Sequence, residues 1–192
     1  MARSTPTRSS ALAVLLLGCL AQGHTAGFHK RLLLQVSRTA LDGVLTMDVD
    51  SGERCAQLRA GADLDHDGLL DPGERQKLKD RLTTMATRAL FLDISGAKVA
   101  VVVQSAKLNL RDDFTAGSGG VSLALLLAMV HPYAVTPGMT LTVQDTAPDF
   151  SHVEIEVQQV PQADAGLTPA SKGSLEPGQK LKVRLEALGK RL

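Results

Sequence analysis

Five carboxylates recur at fixed intervals in one short stretch: Asp63, Asp65, Asp67, Asp71 and Glu74, within D-L-D-H-D-G-L-L-D-P-G-E at residues 63–74. Calcium is a hard cation that takes about six to eight oxygen ligands. An EF-hand loop supplies them from positions 1, 3, 5, 7, 9 and 12, with glycine at 6 for the sharp turn. Here those places hold Asp63, Asp65, Asp67, the backbone carbonyl of Leu69, Asp71 and Glu74, with Gly68 at the bend. Short Asp side chains reach the ion without crowding. Glu74, one methylene longer, can close the shell with both oxygens. Leu70 at position 8 offers an apolar anchor to a core. The competing reading is an acidic surface turn, but matching this many identities at set spacing by chance is improbable.

The same residues also read as a helix start. Asp71 suits an N-cap, Pro72 the first helical position, and Glu74 the third position of a capping box. The entering side is less regular. Leu58 and Ala62 are apolar, but Arg59 and Gly61 stand where an EF-hand favours an apolar helix face. No second loop of this kind occurs, so the paired helices through which calcium sensors switch are not expected. Extracellular calcium modules bind at about 10⁻⁴–10⁻³ M, and a structural calcium follows from that range.

Other chemistry is sparse. The histidines are His24, His29, His66, His131 and His152. His24, as a mature N-terminus with His29 nearby, could hold nickel or copper, since imidazole suits those metals. No G-x-S-x-G, H-E-x-x-H or C-x-x-C pattern occurs. Gly117-Ser118-Gly119-Gly120 lacks the following Lys-Ser or Lys-Thr of a phosphate loop and reads as a flexible connection. Asp149, Ser151 and His152 carry the names of a triad, yet sequence neighbours rarely converge on one atom. No enzyme is expected. A net charge of +1, no Trp and one Tyr argue against nucleic acid, which needs basic surface or stacking platforms.

The elements that must carry the loop begin after an apparent leader. Arg3 and Arg8 precede the apolar run at residues 11–21, and Ala21-Gln22-Gly23 places small residues for cleavage before His24. A signal peptide over 1–23 and a domain over 24–192 are expected. Leu16-Leu17-Gly18-Cys19 also resembles a bacterial lipobox, which would tether the chain through Cys19. Either reading exports the domain, to the periplasm or beyond, with no transmembrane helix in the mature chain. Cys55 would then be the lone cysteine, with no disulfide partner, and reads as a buried small hydrophobe.

Strand signals dominate. Residues 31–37 and 43–49 are β-compatible runs able to form a hairpin. Residues 51–60 suggest a short helix with Ser51 as cap, and about 72–89 a longer one with Leu78, Leu82, Met85 and Ala89 on one face. Short strands are expected at 90–94, 99–104 and 107–110, and an apolar central strand buried on both faces at 121–130. Alternation is clear around Leu141 and Val143, Val153 to Val157, and Leu181 to Leu185. Residues 161–178, rich in Pro, Gly and Ala, read as a long loop. The pattern implies a mainly β domain, an Ig-like β-sandwich, with an EF-hand helix-loop-helix inserted at about 51–89.

The exported β-rich start, the 63–74 loop followed by a helix, and the strand around Leu141-Thr-Val-Gln-Asp145 together resemble the periplasmic N-terminal domain of HupE/UreJ-type bacterial membrane proteins. The likeness covers roughly residues 24–160. It implies a metal-associated setting and a membrane protein partner. Those proteins continue into transmembrane helices, and this chain ends in a strand pattern instead.

Overall fold

A computed structural model describes residues 28–37, 39–110, 119–131, 134–147, 153–159, 168–176 and 178–185. The leader, Cys19, His24, Asp149, Ser151 and His152 lie outside the described residues, as does most of the Gly/Ser connection.

The chain is mainly β. Its strands are β1 (Phe28–Val36), β2 (Leu41–Val49), β3 (Leu90–Ile94), β4 (Ala97–Leu110), β5 (Val121–Val130), β6 (Thr140–Asp145), β7 (Val153–Gln159), β8 (Thr168–Leu175) and β9 (Lys180–Arg184). Two helices, α1 (Glu53–Ala60) and α2 (Pro72–Arg88), are inserted between β2 and β3. The strands form one sheet in the order β8-β7-β1-β2-β5-β4-β3-β6-β9. All neighbours are antiparallel except β1 and β7. The sheet curls until its end strands meet: a Cβ added at Gly173 of β8 would lie 3.3 Å from Leu181 Cδ1 of β9. The layout is thus a nearly closed, barrel-like sheet.

Alternation built this arrangement. β1, β2 and β5 each bury every second residue, so their inward faces supply much of the core, including Leu32, Leu34, Leu45, Met47, Leu125 and Leu127. The 121–130 run is the expected central strand, but only one of its faces is fully buried. The expected strands at 99–104 and 107–110 are a single strand, β4, with a register shift between Val103 and Ser105. One extra residue bends a strand without ending it. Within 161–178, Thr168–Leu175 is a strand rather than loop. Its small residues carry no alternation, and β7 imposes the pairing. Ser51 is not the cap of α1; Gly52 takes that position at φ 149°, a region that suits glycine.

One ion pair ties the curled sheet across its interior. Lys30 of β1 and Asp145 of β6 are 2% and 1% exposed and bond directly through Nζ and Oδ2. Asp145 Oδ1 also accepts from the Ala147 N–H at 2.9 Å. Burial pushes the Lys30 ammonium below its ordinary pKa, against the pull of Asp145. Losing one partner of such a pair strands a charge in low dielectric, at a cost of about 3–5 kcal/mol.

Candidate metal centre

α1 delivers the chain to the loop. Its last turn closes with Gly61 N–H to Gln57 O, and Ala62 and Asp63 N–H to Arg59 O. Arg59 and Gly61, irregular for an entering helix in the sequence, each have a structural cause. The fully buried Arg59 donates from Nη2 to Gly120 O at 3.2 Å, just before β5. A Cβ at Gly61 would lie 3.0 Å from the tip of the exposed Arg81 side chain of α2 and 3.2 Å from the Gln57 carbonyl, so the site is tight. Cys55 is buried as expected, and its thiol donates to Gly119 O at 3.1 Å. Burial pushes that thiol's pKa up. α1 is therefore latched to the start of the central strand at two points.

The loop is then wound by its own carboxylates. Gly68 N–H donates to Asp63 Oδ2 at 3.0 Å, Asp67 N–H to Asp65 Oδ1 at 3.3 Å, and Leu69 N–H to Asp67 Oδ1 at 2.7 Å. Gly68 sits at φ 82°, the left-handed turn for which a glycine is needed. His66 also has positive φ, at 60°. Leu70 is buried in the core while Leu64 and Leu69 are exposed, so one residue anchors the loop. Fully burying such a side chain is worth about 1.5–3 kcal/mol.

The exit helix starts as its sequence requires. Asp71 Oδ1 accepts from Glu74 N–H at 2.8 Å, and Glu74 Oε2 accepts from Asp71 N–H at 3.0 Å, a capping box with Pro72 in the first turn. Glu74 Oε1 also accepts from Leu64 N–H at 2.5 Å. One carboxylate thereby joins the two ends of the loop. The buried face of α2 is Glu74, Leu78, Leu82 and Ala86, an i+4 stripe shifted from the expected Met85 and Ala89, which are only partly buried.

Of the six expected ligands, Asp63, Asp65 and Asp67 offer oxygens that all lie within 4.8 Å of one another. Asp71 and Glu74 stand at the same loop, held by the capping bonds, and Leu69 follows Gly68 with its N–H turned to Asp67. Asp63 decides what the cluster can do. It is 6% exposed, and its Oδ1 is buried without a hydrogen-bond partner. A buried carboxylate oxygen without a donor is costly, and a cation beside Asp65 and Asp67 would satisfy it. Asp65 sits among like charges as well. The bond from the Asp67 backbone lowers its pKa, but residual burial, the charges of Asp67 and Glu74 and the Asp63 side chain push it up overall. The set is all oxygen, which suits a hard divalent cation rather than a soft metal.

His24, on which the nickel or copper expectation rests, lies outside the described residues. His29 Nε2 lies 3.5 Å from Asp50 Oδ2, and the loop is elsewhere. No helix among the described residues is long and apolar enough to cross a membrane. No family model and no curated protein matches the chain. What sequence reasoning missed is the latch of Arg59 and Cys55 onto Gly119 and Gly120. Nothing in the spacing of residues 55–120 marks that contact.

Proposed function

We propose that this chain is an exported, non-enzymatic binding module that holds one calcium ion in an EF-hand loop, with the metal serving chiefly as structure. The observation that carries this reading is the buried Asp63 carboxylate, whose Oδ1 has no hydrogen-bond partner, clustered with the Asp65 and Asp67 carboxylates. The ligands are Asp63, Asp65, Asp67, the Leu69 carbonyl, Asp71 and Glu74. The helix-loop-helix is read as an EF-hand inserted between β2 and β3, and the strongly curled sheet as a variant of an Ig-like sandwich. Calcium ties the end of α1 to the start of α2, and the Arg59 and Cys55 contacts pass that order to β5. A lone loop with one anchoring leucine has no partner loop to open against, which favours stabilisation over signalling. With a dissociation constant of ~0.1 mM in ~1 mM calcium, binding would stabilise the fold by roughly 1.4 kcal/mol.

The likeness to the periplasmic domain of HupE/UreJ-type proteins supports an exported setting and a membrane protein as partner. Calcium titration followed by thermal unfolding tests the reading. The melting temperature should rise with calcium and stay fixed in Asp63→Ala. A wild-type melting temperature that ignores millimolar calcium would overturn it.

A further inference from the structure

β4 is bonded along most of its length on one side only. Residues 97–99 pair with β3, and from residue 100 to residue 110 the strand beside it is β5. Among the described residues no strand runs along the opposite edge of that stretch. The ends of the sheet differ, because β8 and β9 lie against each other. Exposure follows the same division. β1, β2 and β5 bury every second residue, whereas no β4 residue from 100 to 110 is buried, and Val102 is 48% exposed. A β-branched run, Val101-Val102-Val103, thus stands at an open edge, where unpaired backbone groups template a further strand.

The surroundings specify what could be added. An open groove separates the second half of β4 from the first turns of α2. Lys107 and Asn109 line it from one face of the strand and Leu108 and Leu110 from the other, so the groove follows the edge itself. Its charged lining is wholly basic: Lys107 on the strand, Lys79 and Arg75 on the helix. The irregularity between Val103 and Ser105 and the exposed Lys107 are devices that discourage indiscriminate edge pairing. A second copy of the chain would set the same lysines against each other. A segment bearing carboxylates would be drawn in instead.

We infer that this edge is a docking site for an extended acidic segment of a partner protein, which adds to the sheet as a strand beside β4 with its carboxylates against Lys79 and Lys107. Backbone hydrogen bonds give such strand addition its affinity, and flanking charge gives it selectivity. β4 and its pairing lie outside the loop, while the facing wall of the groove is the helix that the loop starts.

The test uses fluorescein-labelled synthetic peptides as long as residues 101–110, alternating threonine or valine with glutamate, and fluorescence anisotropy against the chain in calcium buffer. Three controls accompany it: the lysine counterpart of the peptide, the glutamate peptide N-methylated at alternate residues, and the Lys79→Glu, Lys107→Glu double variant checked for an unchanged circular dichroism spectrum. The inference expects saturable binding of the glutamate peptide, weakened at least about tenfold by each control. Equal binding of the N-methylated peptide would reduce the site to a basic patch and overturn strand addition. Equal binding of the lysine peptide, no binding at millimolar chain, or concentration-dependent self-association abolished by the double variant would overturn it as well.

Discussion

Among the described residues two sites bury a carboxylate, and they resolve its charge in opposite ways. Asp145 lies in the sheet interior with Lys30 of its own chain against it and the Ala147 N–H on its other oxygen. Asp63 is nearly as buried, but its neighbours are Asp65 and Asp67, and one of its oxygens has no donor. The first site is neutralised from within. The second gathers like charge, which on the proposed reading a calcium ion balances. The contrast teaches that a buried acid is informative through what faces it, more than through its burial. It also predicts that stability at the two sites depends on different things: the chain alone at one, and the chain plus calcium at the other.

The largest effect should come from breaking the internal pair. Lys30→Met leaves Asp145 buried without its cation and should destabilise the fold by about 3–5 kcal/mol, in calcium or in chelator alike, by urea unfolding. Adding Asp145→Leu to that variant should recover most of the loss, because an apolar pair replaces an ionic one. A dependence of the Lys30→Met loss on calcium would erase the distinction between the two sites.

Glu74→Gln comes next. It keeps a side chain able to cap but removes the negative charge that Glu74 brings to the loop's closure. Calcium affinity should fall at least about tenfold, removing most of the roughly 1.4 kcal/mol of calcium-dependent stability. In chelator the same variant should differ from wild type by about 1 kcal/mol or less, the scale of a capping contact. Differential scanning calorimetry at fixed calcium reads both arms.

The smallest effect is also the sharpest. Asp65→Asn should raise the melting temperature in chelator and lower it in calcium. The raised pKa of Asp65 means that the folded chain takes up its proton more readily than the unfolded chain. Ionised Asp65 therefore opposes folding at neutral pH when no cation is present, and acidification through the carboxylate range removes that opposition. The gap between wild type and Asp65→Asn in chelator should close as pH falls. A gap that widens on acidification would mean the loop carboxylates do not repel one another.

How far these features could be read in advance follows from their locality. The loop is written in twelve consecutive residues, so its turn, its cap and its helix start were all visible in the sequence. The alternating strands β6, β7 and β9 were visible for the same reason, since one face of each meets the core. The Lys30–Asp145 pair joins positions 115 residues apart, and no local pattern marks either residue. Arg59 gave a misleading signal: a charge on an apolar face looked like a defect until Gly120 supplied its acceptor. Thr168–Leu175 reads as loop in the sequence because it has few apolar residues, and its pairing with β7 makes it a strand. The curl that brings β8 to β9 depends on the twist and register of nine strands together, which alternation does not encode.

The central claim is that the 63–74 loop is a calcium site completed by Asp63. Isothermal titration of calcium into the chain, beside Asp63→Ala, tests it most directly. The account predicts one calcium bound per chain at sub-millimolar to millimolar affinity, and no binding in Asp63→Ala. An absence of binding heat at millimolar calcium across several temperatures, or undiminished binding in Asp63→Ala, would contradict it.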